Sequence, residues 1–384
     1  MHQQARQRRH FRRAAKGGRV ACIVGAHGFR LTAVGAALEE FDCPVLEPGV
    51  DQVVVEVAAC GLCHTDIGFA YDGVPTRHSL PLVLGHEIAG RVVAAGDKAS
   101  EWIGRAVIVP AVIPCGACEA CAAGKPAICR KQFMPGNDGD GGFSTHVTVP
   151  ARGLCAVPEP LPDGITLDML SVVADAVTTP YEAITRAEVS HDDLVVIVGA
   201  GGIGGFGVQI AAAFGATVVA IDVDDDRLTL AKQHGATLAL NASQLDLKAI
   251  KSSIRGLSRE GGRGRVGMKI FVMSGTAAGQ QTAFSLLDFG GYLGVVGYTT
   301  DRVEIRLSNL MALDATMRGN WGCAPDHYPD ALSLVLQRKV VLEPYIERHP
   351  LSELPALFEA VHQHRLRGRA IVLPNEGYAQ SRTL

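Results

Sequence analysis

Two groupings of cysteine, histidine and carboxylate, and one glycine-rich loop, hold most of the chemistry this sequence can do. CGACEACAAGKPAIC carries Cys115, Cys118, Cys121 and Cys129 in a C-x2-C-x2-C-x7-C spacing with no histidine. Four thiolates close a tetrahedron around zinc and leave no position for a substrate, so this is read as a structural metal site. Redox cysteines or disulfides in the same loop are the competing reading. Upstream, CGLCHTD (60–66) and LGHEIAGRVVAAG (84–96) supply Cys63 and His86. A reactive zinc needs three protein ligands and a fourth position open to a water or alcohol oxygen. Isolated Cys and His residues are more often core residues. Here Asp66 and Glu87 stand beside them, and a zinc-bound imidazole usually donates its other N–H to a carboxylate.

The third feature is LVVIVGAGGIGGFGVQIAAAFGATVVAIDVDDD (194–226). The apolar run Leu194 to Val198 reads as a strand buried on both faces. Gly199, Gly201, Gly202, Ile203 and Gly204 then lead into an apolar helix, Ile203 to Phe214, whose free N–H groups face the loop and suit a pyrophosphate. A second strand, Ala216 to Ile221, ends in Asp222, about 20 residues after the glycines, where a carboxylate can accept from both ribose hydroxyls. Asp222 would repel a 2′-phosphate, which favours NAD over NADP. An ordinary turn acid before Asp224, Asp225 and Asp226 is the alternative.

Elements placed around these groups follow from the pattern of the chain. QVVVEVAAC is a strand running into Cys63, and TTPYEAIT (178–185) a crossover helix into the nucleotide unit. KIFVMSG (269–275), GYLGVVGY (291–298) and RGNWGC (318–323) read as further strands. Ligands bind at strand ends of a doubly wound sheet, so Ser274, Gly275, Gly297 and Tyr298 are expected near the cofactor. Phe143 and His146 face either the cleft or the packed interior.

A chain of 384 residues with 47% apolar and 20% charged residues is globular and too long for one ordinary core, so two domains are expected. The ten cysteines are clustered in a large chain, which favours metal thiolates over disulfides. A net charge of -3 gives no case for nucleic acid or membrane partners. No apolar run reaches the ~20 residues of a membrane helix, and no secretory signal core is present, so the expected location is cytoplasmic. Residues 1–20 hold seven Arg or Lys and no acid. A disordered leader is the reading taken there, against a targeting or nucleic-acid arm.

These elements together resemble the zinc-dependent medium-chain alcohol dehydrogenase family, from about Val53 to Leu373 and in family order. The resemblance implies an α/β protein with a GroES-like β-rich catalytic domain (21–185 and 323–384, with the zinc lobe at about 110–131) and a Rossmann doubly wound parallel sheet (186–322). It implies two zinc ions per chain, NAD, a small-molecule substrate, and a homodimer or homotetramer. Cys63 and His86 match the first two catalytic ligands, Asp66 and Glu87 the acids behind them, and Thr65 the hydroxyl that passes the substrate proton. Arg227 matches a basic residue near the adenosine ribose, although a solvated helix charge is nearly as good a reading. Arg369 matches an arginine on the pyrophosphate.

Two positions depart from the common family pattern. The third ligand is commonly cysteine, and Asp175 stands in its place; with Cys63 it still sets two negative charges against Zn²⁺. A helix cap is the alternative role for Asp175. Gly68 occupies the place of a proton-relaying histidine, so a water or a cofactor ribose hydroxyl has to stand in. Zinc beside nicotinamide implies oxidation of an alcohol with hydride transfer to NAD. AVIPCGAC, MPGND, VVADAVTTPY, RLSNLMALDA and GNWGC are similar to the branch of the family that oxidises 6-hydroxycyclohex-1-ene-1-carbonyl-CoA to its 6-oxo product in anaerobic aromatic degradation. That likeness implies a CoA thioester substrate. Another zinc alcohol or polyol dehydrogenase, a zinc-assisted enoyl-CoA hydratase and a non-catalytic zinc and nucleotide binder are the rival readings.

Overall fold

The computed structural model describes residues 24–261, 267–363 and 365–375, so the basic leader lies outside the described residues. Two large sheets carry the chain. The first is centred on the strand Gln52–Gly61, whose valines 53, 54, 55 and 57 are all fully buried. Such a strand needs cover on both faces and neighbours on both edges. Its sheet runs Ile346–Pro350, Arg369–Leu373, Gln52–Gly61, Glu87–Ala95, Ala106–Val109 and Cys155–Ala156, with His146–Pro150 also paired to Gln52–Gly61. All pairings are antiparallel except Ile346–Pro350 with Arg369–Leu373. A smaller two-stranded sheet, Val24–Arg30 with Glu39–Leu46, precedes it.

The second sheet is six-stranded and parallel throughout, in the order Leu238–Asn241, Thr217–Asp222, Leu194–Val198, Lys269–Val272, Tyr292–Val295, Thr316–Gly319. In chain order that is 3-2-1-4-5-6, the dinucleotide-binding arrangement, and the chain reverses direction across the sheet beside Leu194–Val198. The glycine loop therefore opens at the place where such a sheet leaves a crevice. The helix Thr178–Arg186 brings the chain in and the segment after Gly319 takes it out, beside the divisions expected at 185/186 and 322/323. One difference concerns the last strand. It was expected over 318–323 but spans Thr316–Gly319: its partner Tyr292–Val295 ends at Val295, whose carbonyl takes the last bond, from the Asn320 N–H at 2.9 Å.

One contiguous apolar cluster joins the two sheets, running from Ala59, Ala89 and Ile108 through Leu170, Val173 and Ile184 to Val195, Ile197 and Phe206. The short helical turn Met169–Ala174 is wholly buried at that junction. Tyr328 is fully buried against it and fixes its end: the phenol donates to the Ala174 carbonyl and accepts from the Ala111 N–H. No helix among the described residues is long and apolar enough to cross a membrane.

Candidate active site

The register Gly61↔Glu87 between adjacent strands sets Leu62 opposite His86 and brings Cys63 to the same sheet end. Cys63 is the N-cap of the helix His64–Ala70. Asp66, in the first turn, accepts from the Cys63 N–H at 3.0 Å and from the Gly85 N–H at 3.1 Å, so one carboxylate ties both strand exits together. Its Oδ1 also lies 3.3 Å from His86 Nδ1, the nitrogen that faces away from the site. Asp175 enters from the end of the buried turn at 169–174. Its Oδ2 lies 3.8 Å from Cys63 Sγ and 3.6 Å from His86 Nε2. Thr179, four residues along the next helix, donates to Asp175 Oδ1 and so turns the other oxygen toward the Cys and His.

The donor set fits a zinc ion. Bonds of about 2.0–2.3 Å at tetrahedral angles imply ligand–ligand edges of roughly 3.3–3.7 Å, close to the two distances just given. Cys63, His86, Glu87 and Asp175 offer ligand atoms that all lie within 4.8 Å of one another. His86 Nδ1 and both Glu87 oxygens are buried without an aligned hydrogen bond. Buried polar groups are seldom left in that state; their charged neighbours are Asp66 Oδ1 beside His86 Nδ1 and Arg369 Nη2 beside Glu87 Oε1. The electrostatics agree. Burial raises the Cys63 thiol, yet the Arg369 guanidinium and His86 bring it below its ordinary value. Burial likewise opposes ionisation of Asp175, but His86 and the Thr179 hydroxyl hold its carboxyl well below the usual range. Burial works against a charged His86, and Asp66 with Asp175 raises it well above its ordinary value.

Glu87 stands behind this group, fully buried, with Oε1 3.0 Å from Arg369 Nη2. Burial pushes its carboxyl up and Arg369 only partly opposes it. Arg369 also donates to the Leu62 carbonyl at 3.2 Å. A Cβ on Gly202 would come 3.7 Å from its Nε, so the guanidinium spans from the metal-ligand group to the glycine loop. Thr65 Oγ1 lies 3.7 Å from Cys63 Sγ.

At the loop itself Gly199 has φ +92°, and a side chain there would collide with Ser274. A Cβ on Gly204, the first residue of the helix Gly204–Ala213, would sit 1.7 Å from the Gly199 carbonyl oxygen. Both positions therefore require glycine. Ile203 caps that helix half-buried, and Gly201 lies under the Arg227 guanidinium. Asp222 ends its strand where expected, accepting from the N–H groups of Ala200 at 2.7 Å, Val223 at 2.8 Å and Asp224 at 3.1 Å. Of the roughly four lone-pair sites of a carboxylate, three are taken, and Arg227 is 3.9 Å away. Ser274, Gly275 and Gly297 crowd together at the neighbouring strand ends, and Tyr298 is exposed beside them.

Cys115, Cys118, Cys121 and Cys129 converge in the lobe, with Cys118 Sγ 3.5 Å from Cys121 Sγ and 3.6 Å from Cys129 Sγ. Cys115 is lowered to about 6, first by the Ala117 backbone N–H. Cys121 is raised to about 11 by burial and by Cys118. Metal binding to such a cluster requires the thiols to be deprotonated. Phe143 and His146 belong to packing. Phe143 is buried edge-on against Phe358, and His146 lies in the strand paired to Gln52–Gly61. Thr179 and Tyr328 were not picked out from sequence; only the i, i+4 spacing of Asp175 and Thr179 would have suggested the first.

Residues 49–159 match the model of the alcohol dehydrogenase GroES-like domain, and residues 202–337 that of the zinc-binding dehydrogenases. An alcohol dehydrogenase of Geobacillus stearothermophilus is 31% identical over 339 residues, covering 87% of this chain and 94% of the relative. Galactitol 1-phosphate 5-dehydrogenase of Escherichia coli K12 is 27% identical, with 84% and 93% covered. Among solved structures, the alcohol dehydrogenase of Aeropyrum pernix superposes with a TM-score of 0.80 at 27% identity, over 91% of this chain and all of that one.

Proposed function

Because the chain belongs to the zinc-dependent medium-chain alcohol dehydrogenase family, oxidoreductases that work with zinc and NAD, we propose that Cys63, His86 and Asp175 hold the catalytic zinc. The observation that carries this reading is the convergence of the Cys63, His86 and Asp175 ligand atoms, with Glu87 behind them and Thr65 Oγ1 3.7 Å from the Cys63 sulfur. We assign the lobe cysteines to the second zinc and the loop from Gly199 to Gly204, with Asp222, Arg227, Ser274, Gly297 and Arg369, to NAD.

Zinc, when bound, supplies a Lewis acid that lowers the pKa of an alcohol oxygen. The chain's residues do the rest. Thr65 Oγ1 receives the substrate hydroxyl proton and passes it to a water or a ribose hydroxyl, since Gly68 provides no imidazole. Asp66 keeps the His86 ring oriented through Nδ1. Arg369, held by Glu87 at 3.0 Å, sets its guanidinium between the ligand group and the loop that takes the pyrophosphate, with N–H donors suited to the cofactor's phosphates. The strand-end crevice of the parallel sheet, with the glycine loop, would hold a dinucleotide, which would supply the hydride acceptor.

For the substrate we propose a secondary, cyclic allylic alcohol carried as a CoA thioester, 6-hydroxycyclohex-1-ene-1-carbonyl-CoA. Support comes from the likeness of AVIPCGAC, MPGND, VVADAVTTPY, RLSNLMALDA and GNWGC to that branch of the family, and from Asp175 in place of the common cysteine. The named relatives act on other alcohols, which favours a second reading as a dehydrogenase of a free alcohol or sugar phosphate. NADH formation measured across cyclic hydroxyacyl-CoA thioesters, simple alcohols and polyol phosphates decides between them. The thioester reading requires a kcat/KM at least tenfold above any free alcohol, and the reverse order rejects it.

A further inference from the structure

Beyond the two groups assigned to zinc, a third set of metal-binding side chains converges among the described residues: Glu182, Cys323 and His327. We propose that these three form a further site for a divalent transition ion, with zinc the natural occupant. Glu182 lies on the helix Thr178–Arg186, and Cys323 and His327 lie on the segment that follows the strand Thr316–Gly319. Glu182 Oε2 is 2.6 Å from His327 Nδ1 and 3.6 Å from Cys323 Sγ. The second distance is already a tetrahedral edge. The first is a hydrogen bond and has to open by roughly 0.7 Å to admit an ion with bonds of about 2.0 Å. His327 can make that movement, because its side chain is 36% exposed while that of Glu182 is 7% exposed.

Charge and ligand type favour the same occupant. A thiolate and a carboxylate set two negative charges against a divalent ion, and thiolate with imidazole selects zinc and its transition-metal neighbours over calcium or magnesium. The free oxygen of Glu182, Oε1, lies 3.8 Å from Arg186 Nε, an outer partner of the kind that orients metal-bound carboxylates. Solvent reaches the group from the His327 side. The location gives the site a consequence. The helix Thr178–Arg186 is the chain's entry into the parallel sheet and the segment at 320–327 its exit, so a bound ion cross-links the two connections between the sheets.

The test is zinc stoichiometry of the full-length protein after equilibrium dialysis against zinc chloride. The wild-type chain should take up three equivalents, and His327→Gln and Cys323→Ser two each. His327→Gln alters only a half-exposed side chain, so it serves even if the buried Cys323 variant folds poorly. The double variant Asp175→Ala/His327→Gln should bind one equivalent, which separates this site from the catalytic one. An unchanged zinc count in His327→Gln relative to wild type, the result expected if Glu182 and His327 are merely a hydrogen-bonded pair, overturns the proposal whatever the wild-type total, while an unchanged count in Asp175→Ala alone rejects the catalytic assignment instead.

Discussion

Asp175 carries the greatest consequence of any single residue, because it decides whether Cys63 and His86 grip an ion or stand as buried polar groups. Its carboxylate is held ionised by His86 and Thr179 and turned toward the sulfur of a residue 112 positions earlier in the chain. Asp175→Ala should remove one zinc equivalent and leave the four-cysteine lobe loaded; elemental analysis of the dialysed variant checks this, and an unchanged zinc content would sink the ligand assignment. Arg369 makes a different prediction. It is buried with Glu87 at 3.0 Å, and removing one member of a buried pair leaves an uncompensated charge. Arg369→Leu should therefore destabilise the fold by about 3–5 kcal/mol in denaturant titration, whereas a loss below 1 kcal/mol would mean that Glu87 is protonated and the pair contributes little. At this scale the sequence was partly legible. Cys63, His86 and the acids beside them are close in sequence and of telling types, but nothing in their spacing points to Asp175, which came from the family likeness alone. Thr179 and Tyr328 escaped notice because their work is to hold another group, Asp175 and the Ala174 carbonyl, rather than to carry chemistry.

The glycine loop and its helix form the clearest element, and they were legible for a physical reason: strand, turn, helix and second strand follow one another within 33 residues, 194–226, so local pattern and tertiary role coincide. Gly204→Ala puts a methyl within 1.7 Å of the Gly199 carbonyl oxygen. The loop has to move, and NAD affinity measured by fluorescence titration should fall at least tenfold; unaltered affinity would show that the loop does not form the pyrophosphate cradle. The strand His146–Pro150 gives a pH prediction. Burial lowers His146 below its ordinary value of 6.5, against a smaller opposing pull from Glu56. A folded-state pKa below the unfolded one means that the unfolded chain takes up the proton more readily. Stability is then complete above the unfolded pKa and declines as pH falls through the lowered folded value. Urea midpoints should drop from pH 8 to about pH 5, and the drop should be smaller in His146→Gln; an equal drop in both proteins would assign the acid sensitivity elsewhere. Less legible was the end of the parallel sheet, where the last strand stops with its partner at Val295 rather than at a glycine or proline of its own.

On the scale of the whole molecule, the active-site groups are contributed by segments that the fold alone brings together. Cys63, His86 and Arg369 come from the antiparallel sheet, Asp175 from the buried turn between the sheets, and the glycine loop from the parallel sheet. The continuous apolar cluster that runs through this junction fixes their relative positions. Such a core is visible in sequence only as apolar content, so the two-part architecture was readable while the contact between its parts was not. The most direct measurement of the central claim is NADH formation from NAD and a secondary alcohol, recorded for the wild-type protein and for Asp175→Ala under zinc saturation. The wild type should reduce NAD and the variant should lose at least about 10³-fold in kcat/KM, the several kcal/mol that a Lewis-acid metal contributes. Equal rates in the two proteins would contradict the account.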